Sequence, residues 1–362
     1  MDQIKGFKGI GYSSDLNPLD PYLTLPFDEI TPERRREYLR RSRYNFSRII
    51  LPSRRDDPLD LIRSFISDGI FREDENENIY PYEQEFIHGK RVYRRRGFIG
   101  ILNLDYARDH VHPHEKIFME PKIQRLRILE RTGFDLEPIF LLYRDGNKNC
   151  FNLERENIIA WGEEPEGVIN RLYSSNSSID CDPGDLVIAD GHHRFSAAVD
   201  YYRNRGTGGW IMAAFVNIDQ DSLIILPSYK LVKDANLDME RMEEYFEMEI
   251  IEDITERNYP LMCSRGRFYS LKLKERNDLP FAFIFEKIIM EKVIKMEINM
   301  DNVKTFRRIE DMKCGPRDAA FMFNPPSPED VWRYALKGLI MPQKSTYFFP
   351  KITSGLRIFK KY

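Results

Sequence analysis

"DLVIADGHHRFSAAVDYY", residues 185–202, is the stretch on which the fold turns. An apolar run ends at Asp190, one glycine follows, and two adjacent histidines and an arginine lead straight into a helical pattern. A buried strand that passes through Asp-Gly directly into a helix predicts an α+β domain with a site at the strand's end. The first turn of such a helix has backbone N–H groups with no partner inside the helix. Gly191 lets the chain turn with positive φ and lets a ligand approach the backbone. The helix dipole favours an anion there by about 0.3–1 kcal/mol, and an Arg194 fork adds a charged hydrogen bond of about 1.5–3 kcal/mol. Asp190, Gly191, His192, His193 and Arg194 are therefore candidates for a phosphate cradle. The plainer alternative has Asp190 capping the helix, both histidines solvated and Arg194 paired with a neighbouring carboxylate.

The surrounding chain alternates helical and strand-like segments without a clean βαβ order. Thr31 before Pro32 and Asp57 before Pro58 each predict a capped helix start. The segments 79–86 and 92–104 read as strands around the turn signal "HGK", and "PIFLLY" (138–143) as a short buried strand. Between them "EPKIQRLRILERTG" is helical, and 194–205 continues as a helix after the Asp-Gly turn. Beyond residue 230, "RFYSLKL" and "FAFIFEKIIMEKVIKMEI" read as strands, and Ser327, Pro328 and Asp330 open one more helix. The fold class is α+β: a mixed-sheet core with flanking helices over 1–232, and an α/β region over 233–362 whose end packs back on the core.

Bulk properties narrow the functions. The chain has 362 residues, 55 Lys and Arg against 58 Asp and Glu, and a net charge of −3. That near balance argues against a polyanion as main partner. Neither an apolar leader nor a window of some eighteen apolar residues is present, so a cytoplasmic protein without a membrane span is expected. Cys150, Cys181, Cys263 and Cys314 form no CxxC pair and are expected to be reduced structural thiols.

Five of the six histidines fall in two clusters, His192 with His193, and His110, His112 and His114 in "RDHVHPHEKIFMEPK". Concentration of the side chain that titrates near neutrality signals a site. If 110–114 is extended, its three histidines share one face as zinc ligands would, but Pro113 interrupts and no cysteine pattern accompanies them. The alternative is a polar loop in which His114, Glu115 and Lys116 face phosphates, with Lys122 and Arg125 on the following helix. Lys344, Ser345 and Thr346 in "MPQKSTYFFPK" look like the tail of a P-loop but lack its glycines. The Arg and Tyr run at 34–48 fits a salt-bridged helix face better than a nucleic-acid surface.

Taken together, "IADGHHRFSAA", "HPHEKIFMEPKIQRLRIL", "PIFLLYRDG", "YPYEQEF", "GFIGILNL" and "MPQKSTYFFPK" resemble the family known as domain of unknown function 1015. The similarity runs from "LPFDEITPE" to the C-terminus. Its Asp-Gly-His-His-Arg core is also similar, over a short stretch, to the box of ParB-like and sulfiredoxin-like nucleotide-binding proteins, which include kinases of free L-serine. The resemblance implies a nucleotide-binding element built from Asp190 to Arg194, His114, Glu115, Lys116, Lys122, Arg125 and Lys344 to Thr346. It further implies ATP or ADP as phosphoryl donor with Mg²⁺, a hydroxy amino acid such as L-serine as acceptor, Glu115 or Asp190 as base, His193 and Arg194 in the catalytic set, no resident metal ligands, and a homodimer as one arrangement. Four positions depart from the family: Phe195 and Ser196 after the arginine, Ile117 after His-Glu-Lys, and Tyr229 in "ILPSYK". The competing classes are a nucleotide-switched ParB-like regulatory module and a metal-dependent hydrolase using His112, His114, His192 and His193.

Overall fold

A computed structural model describes residues 3–146, 151, 153–179, 181–206, 209–252, 260–275 and 277–361. The chain is α+β and divides into two compact units, taken in turn. Unit 1 comprises 1–113, 119–223 and 350–362, and unit 2 comprises 114–118 and 224–349. The division expected at 232/233 is thus found at 223/224. Ile224–Ile225 pairs with Phe348–Phe349 inside unit 2, and Phe359–Lys360 pairs with Phe134–Asp135 inside unit 1.

Unit 1 is built on a mixed sheet. In space its strands run Val111–His112, Leu186–Asp190, Ile139–Tyr143, Trp210–Asn217, Arg91–Asn103, Tyr80–His88, Ile169–Tyr173 and Ile158–Glu163, with Ile4–Lys5 joined to Arg91–Asn103. The central pairing of 139–143 with 210–217 is parallel, while 80–88 and 91–103 form an antiparallel hairpin in which His88 faces Arg91. Gly89, at φ +62°, supplies the conformation that so tight a turn needs.

Alternation along these strands separates two faces. Phe98, Leu102, Ile139, Leu141, Ile188, Ala213 and Phe215 build an apolar core with Ala198 and Tyr201 of the helix His192–Arg205. The opposite face carries Tyr82, Gln84, Arg95, Asn170 and Asp190. There the C-terminal segment supplies Lys351 and Thr353. Several of these side chains bond one another, as when Asn170 Oδ1 accepts from Tyr82 (2.6 Å), Gln84 (3.0 Å) and Thr353 (2.9 Å).

The helix starts follow local chemistry. Thr31 Oγ1 accepts from the Arg34 N–H (3.2 Å) ahead of Pro32–Arg41, and Asp57 caps Pro58–Ser67 through the N–H groups of Leu59 and Asp60. Ser327 and Asp330 close a reciprocal capping box on Pro328–Leu336.

Unit 2 holds a six-stranded antiparallel sheet in the order 246–251, 267–273, 261–264, 319–322, 229–232, 303–306. The strand expected over "FAFIFEKIIMEKVIKMEI" is instead helical, α over Phe281–Ile284 and π over Phe285–Ile294. Burial is continuous over 282–286 and then recurs every three or four positions at Ile289, Met290 and Val293, and Lys287 pairs with Glu291 one turn on (2.6 Å). Spacing outweighs the aromatic and β-branched content that suggests a strand.

The thiols also need correction: Cys263 and Cys314 are free, but Cys181 is disulfide-bonded. Cys150 lies outside the described residues.

Candidate active site

The strand Leu186–Asp190 ends where its register with Ile139–Tyr143 shifts, and the chain then turns through Gly191 at φ +92°. A Cβ at residue 191 would stand 3.1 Å from both the Arg194 guanidinium and Ile139, so the turn needs glycine for space as well as for φ. The helix begins at His192, two residues earlier than the pattern suggests, which puts both histidines in its first turn. The Phe195 N–H is the first to bond back, to the Gly191 carbonyl (2.9 Å).

Asp190 does not cap this helix. One carboxylate oxygen accepts from Arg194 Nη2 (2.7 Å) and the other from Lys351 Nζ. Burial alone would raise its pKa, but the Lys351 ammonium and the Arg194 guanidinium, against the opposing charge of Asp28, hold it below the usual carboxylate value. Arg194 also donates to the Pro138 carbonyl (2.5 Å), and its buried Nε has no hydrogen-bond partner among the described residues.

Arg125, on the helix Met119–Thr132, adds a second guanidinium. It lies 3.9 Å over the Phe27 ring and donates to the Ile50 carbonyl (3.0 Å), with its Nε unpartnered among the described residues. Burial lowers its pKa, helped by the charge of Arg194 and opposed by Glu137 and Asp28. Arg125, Glu137 and Arg194 line a cavity of about 40 Å³, room for one small polar group or water. Glu137 accepts from the Phe27 N–H (3.1 Å) and the Ser354 hydroxyl (2.8 Å), which holds the turn Phe27–Glu29 and its exposed carboxylate Asp28 against this cluster.

Lys122 takes another route. Its ammonium pairs with Asp200 (2.6 Å) and ties helix Met119–Thr132 to helix His192–Arg205.

The remaining candidates lie in unit 2 and bond to one another or to neighbours within it. His114 is fully buried, with Nε2 2.8 Å from Thr346 Oγ1. Glu115 accepts from the backbone N–H groups of Lys344 (2.9 Å) and Thr346 (2.6 Å) and from the Thr346 hydroxyl (2.5 Å). The Ser345 hydroxyl donates to the Pro342 carbonyl (2.7 Å), and Lys116 pairs with Glu286 (2.7 Å). Lys344 sits at φ +55°, so the Lys-Ser-Thr turn is a shaped loop that Glu115 clamps. Buried Lys230, unremarked in the sequence, donates to the carbonyls of Gln343 (3.2 Å) and Lys344, and burial pushes its pKa down to about 7.

The three alternating histidines do not share a face. His110 stacks on Tyr106 (4.1 Å between centroids), His112 meets Asp185 (2.8 Å), and His114 belongs to unit 2. Among the described residues no group of three or more His, Cys, Asp or Glu is placed to hold a metal. Of the departures from the family pattern, Phe195 packs against the unit 1 core and Tyr229 is buried in the core of unit 2.

The structure thus gathers seven candidates in unit 1 (Asp190, Gly191, His192, His193, Arg194, Lys122 and Arg125) and six in unit 2. Sequence reasoning missed Lys351 and Asp28. A lysine set among apolar residues in "TYFFPK" is a signal, because a buried ammonium needs an acid. Asp28 carries no comparable signal.

Residues 4–298 match the family described as "Protein of unknown function (DUF1015)". The chain belongs to this family. The search of curated proteins found no match. Among solved structures this DUF1015 chain is similar to a free serine kinase in complex with AMP, at 16% identity over 71% of this chain and 90% of that one, with a TM-score of 0.40. It is similar to SbnI with C-terminal truncation from Staphylococcus aureus at 11% identity, over 72% and 87% of the two chains, TM-score 0.42. A conserved hypothetical protein from Pyrococcus furiosus gives 14% identity over 72% and 93%, TM-score 0.39. Likeness at this level says nothing about chemistry, which rests on the side chains. No helix among the described residues is long and apolar enough to cross a membrane.

Proposed function

We propose that the strand-to-helix turn of unit 1 binds the phosphates of a nucleotide, and that the protein transfers a phosphoryl group from ATP or ADP to the hydroxyl of a small acceptor, with L-serine as the candidate. The observation that supports this reading is the partly buried triad in which Asp190 is held ionised between Lys351 and Arg194 at the foot of a helix entered through Gly191. Phosphoryl transfer asks for positioning and charge neutralisation more than for covalent chemistry. Arg194 and Arg125 bring two guanidinium groups to the cavity of about 40 Å³, each with a buried Nε unpartnered among the described residues, and the first turn of helix His192–Arg205 adds its amides. His192 and His193 stand in that same turn.

The acceptor oxygen attacks the terminal phosphorus, the bond to the nucleotide oxygen breaks, and the acceptor proton passes to a carboxylate. Asp190 is poorly suited to take it, because both its oxygens are engaged and its pKa is lowered. The oxygens of Glu115 are engaged as well. We assign the base to Asp28 on position: it is exposed to solvent, and its charge acts on both Asp190 and Arg125 whatever else its carboxylate meets. Mg²⁺ bound with the nucleotide would neutralise phosphate charge. The described residues form no cage for it, and no step here is routed through it.

Phosphorus NMR with Mg²⁺, L-serine and either ATP or ADP tests the reading. A new phosphomonoester resonance that is lost in Arg194→Ala is expected, with a rate reduction of about a hundredfold or more from removal of one charge-stabilising donor. No product with either donor, or a wild-type rate in Arg194→Ala, refutes it.

A further inference from the structure

A second cavity, of about 540 Å³, opens on unit 1 among strands 80–88, 91–103, 139–143 and 210–217, lined by Arg94, Arg96, Arg155, Tyr143, Phe151 and Ser222 among others. It lies away from the Asp190 cluster. Tyr143 ends the strand whose preceding residue, Pro138, accepts from Arg194, and five strand residues span about 16 Å.

Three features of this cavity point to one kind of ligand. First, its charge is unevenly paired. Arg96 (3.1 Å), Arg171 (3.3 Å) and Arg155 (3.8 Å) all converge on buried Glu83, while Arg94 (2.8 Å) and Arg171 (3.5 Å) meet Glu85. Four guanidinium groups therefore share two carboxylates. The lining carboxylate Asp221 is itself paired, with Arg91 (2.6 Å). Second, Ser222 is 1% exposed, and its hydroxyl has no hydrogen-bond partner among the described residues. A buried hydroxyl left unbonded is costly unless something enters to meet it. Third, one wall is aromatic. Phe151 stacks on Phe98 (5.6 Å, 17°) and meets Tyr143 at 4.4 Å, and Arg155 lies over the Tyr173 ring.

We propose that this cavity is a second ligand site, built for a small organic anion that carries a flat ring. The anionic group takes the Arg96 and Arg155 guanidinium donors, which fork to carboxylate or phosphate oxygens. The ring lies against Tyr143 and Phe151, and a polar substituent reaches Ser222. The site is independent of the chemistry assigned to Asp190.

Isothermal titration of the full chain with phenyl phosphate tests it. The wild type is expected to bind saturably, and inorganic phosphate and benzyl alcohol, each with half the chemistry, to bind far more weakly. Arg155→Ala should weaken phenyl phosphate by about tenfold or more, as loss of one charge-assisted hydrogen bond implies. It should still fold, because Arg96 and Arg171 remain on Glu83. Ser222→Ala should weaken 4-hydroxyphenyl phosphate, whose added hydroxyl reaches residue 222, while leaving the unliganded protein's Tm unchanged or higher, since it removes an unbonded hydroxyl. Arg194→Ala should bind as the wild type does. No saturable binding by the wild type, wild-type affinity of Arg155→Ala for phenyl phosphate or of Ser222→Ala for 4-hydroxyphenyl phosphate, equal affinity for the half-ligands, or loss of binding in Arg194→Ala overturns the proposal.

Discussion

The two units treat their buried charges differently. In unit 2 the acid Glu115 is met by two backbone amides and a hydroxyl, and the ammonium of Lys230 by backbone carbonyls and the Ser228 and Thr305 hydroxyls. In unit 1, Arg95, Arg125, Arg194, Asp145 and Glu164 each keep a buried atom without a hydrogen-bond partner, and among the described residues no charged side chain of unit 2 does. An unmet buried polar group costs about 1–3 kcal/mol. Unit 2 has avoided that cost and gained a fixed loop, whereas unit 1 carries it beside a turn suited to anions. Motifs of one composition, with His, an acid and Lys or Arg close together, can therefore end as a latch or as a site. Satisfaction of their hydrogen bonds is what separates the two.

The largest effect expected from this difference is in the pH dependence of Glu164. It is 2% exposed, neither oxygen has a well-formed hydrogen bond among the described residues, and burial with the nearby Glu166 pushes its pKa up to about 8, against Arg34, Arg95 and a weak contact from Thr353. A carboxyl whose folded pKa exceeds its unfolded value holds a proton in the native state that the unfolded chain has released. Stability therefore falls as pH rises from about 4.5 to about 8. Glu164→Gln fixes the neutral form and should stabilise the protein by roughly 4–5 kcal/mol at pH 8 and by almost nothing at pH 4.5, at 1.36 kcal/mol per pKa unit. Lys230 sets the opposite slope, since a lysine lowered to about 7 adds stability as pH rises from there toward its usual 10.5. Urea unfolding of the wild type and Glu164→Gln across this range checks both. A parallel pair of curves would mean that Glu164 is solvated or paired, and the contrast between the units would lose its strongest support.

Asp190→Asn comes next. It removes the carboxylate charge shared by Arg194 and the Lys351 ammonium, which is 4% exposed, and breaking a buried pair of this kind costs about 3–5 kcal/mol. Urea unfolding at pH 7 gives the number, and a change below about 1 kcal/mol would place the pair in the class of exposed bridges.

How much of this was legible follows from the range of each interaction. The caps at Thr31, Asp57 and Ser327 were readable because each cap meets an amide two or three residues on. The Asp190–Arg194 turn was readable because strand, glycine and helix are contiguous. Lys351 reaches Asp190 across 161 positions, and the Phe27 amide beside Asp28 meets Glu137 across 110, so no local pattern announces either. Helix Phe281–Ile294 was misread because residue type was weighed above spacing. "HPHEK" and "MPQKST" stood out together, yet nothing in their letters says that Glu115 is the clamp on the Lys344 turn.

Glu115→Gln gives the smallest effect and separates latch from site most cleanly. The neutral amide still accepts, but it loses the charge that strengthens three contacts and brings an NH₂ that faces donors. A loss of about 1.5–3 kcal/mol is expected, with faster hydrogen exchange at the amides of Lys344 and Thr346, which donate to it. The same variant should cost phosphoryl transfer far less than Asp28→Asn does. If exchange at 344 and 346 is unchanged while turnover falls by orders of magnitude, Glu115 acts in the chemistry, and the division between a satisfied latch and an unsatisfied site fails.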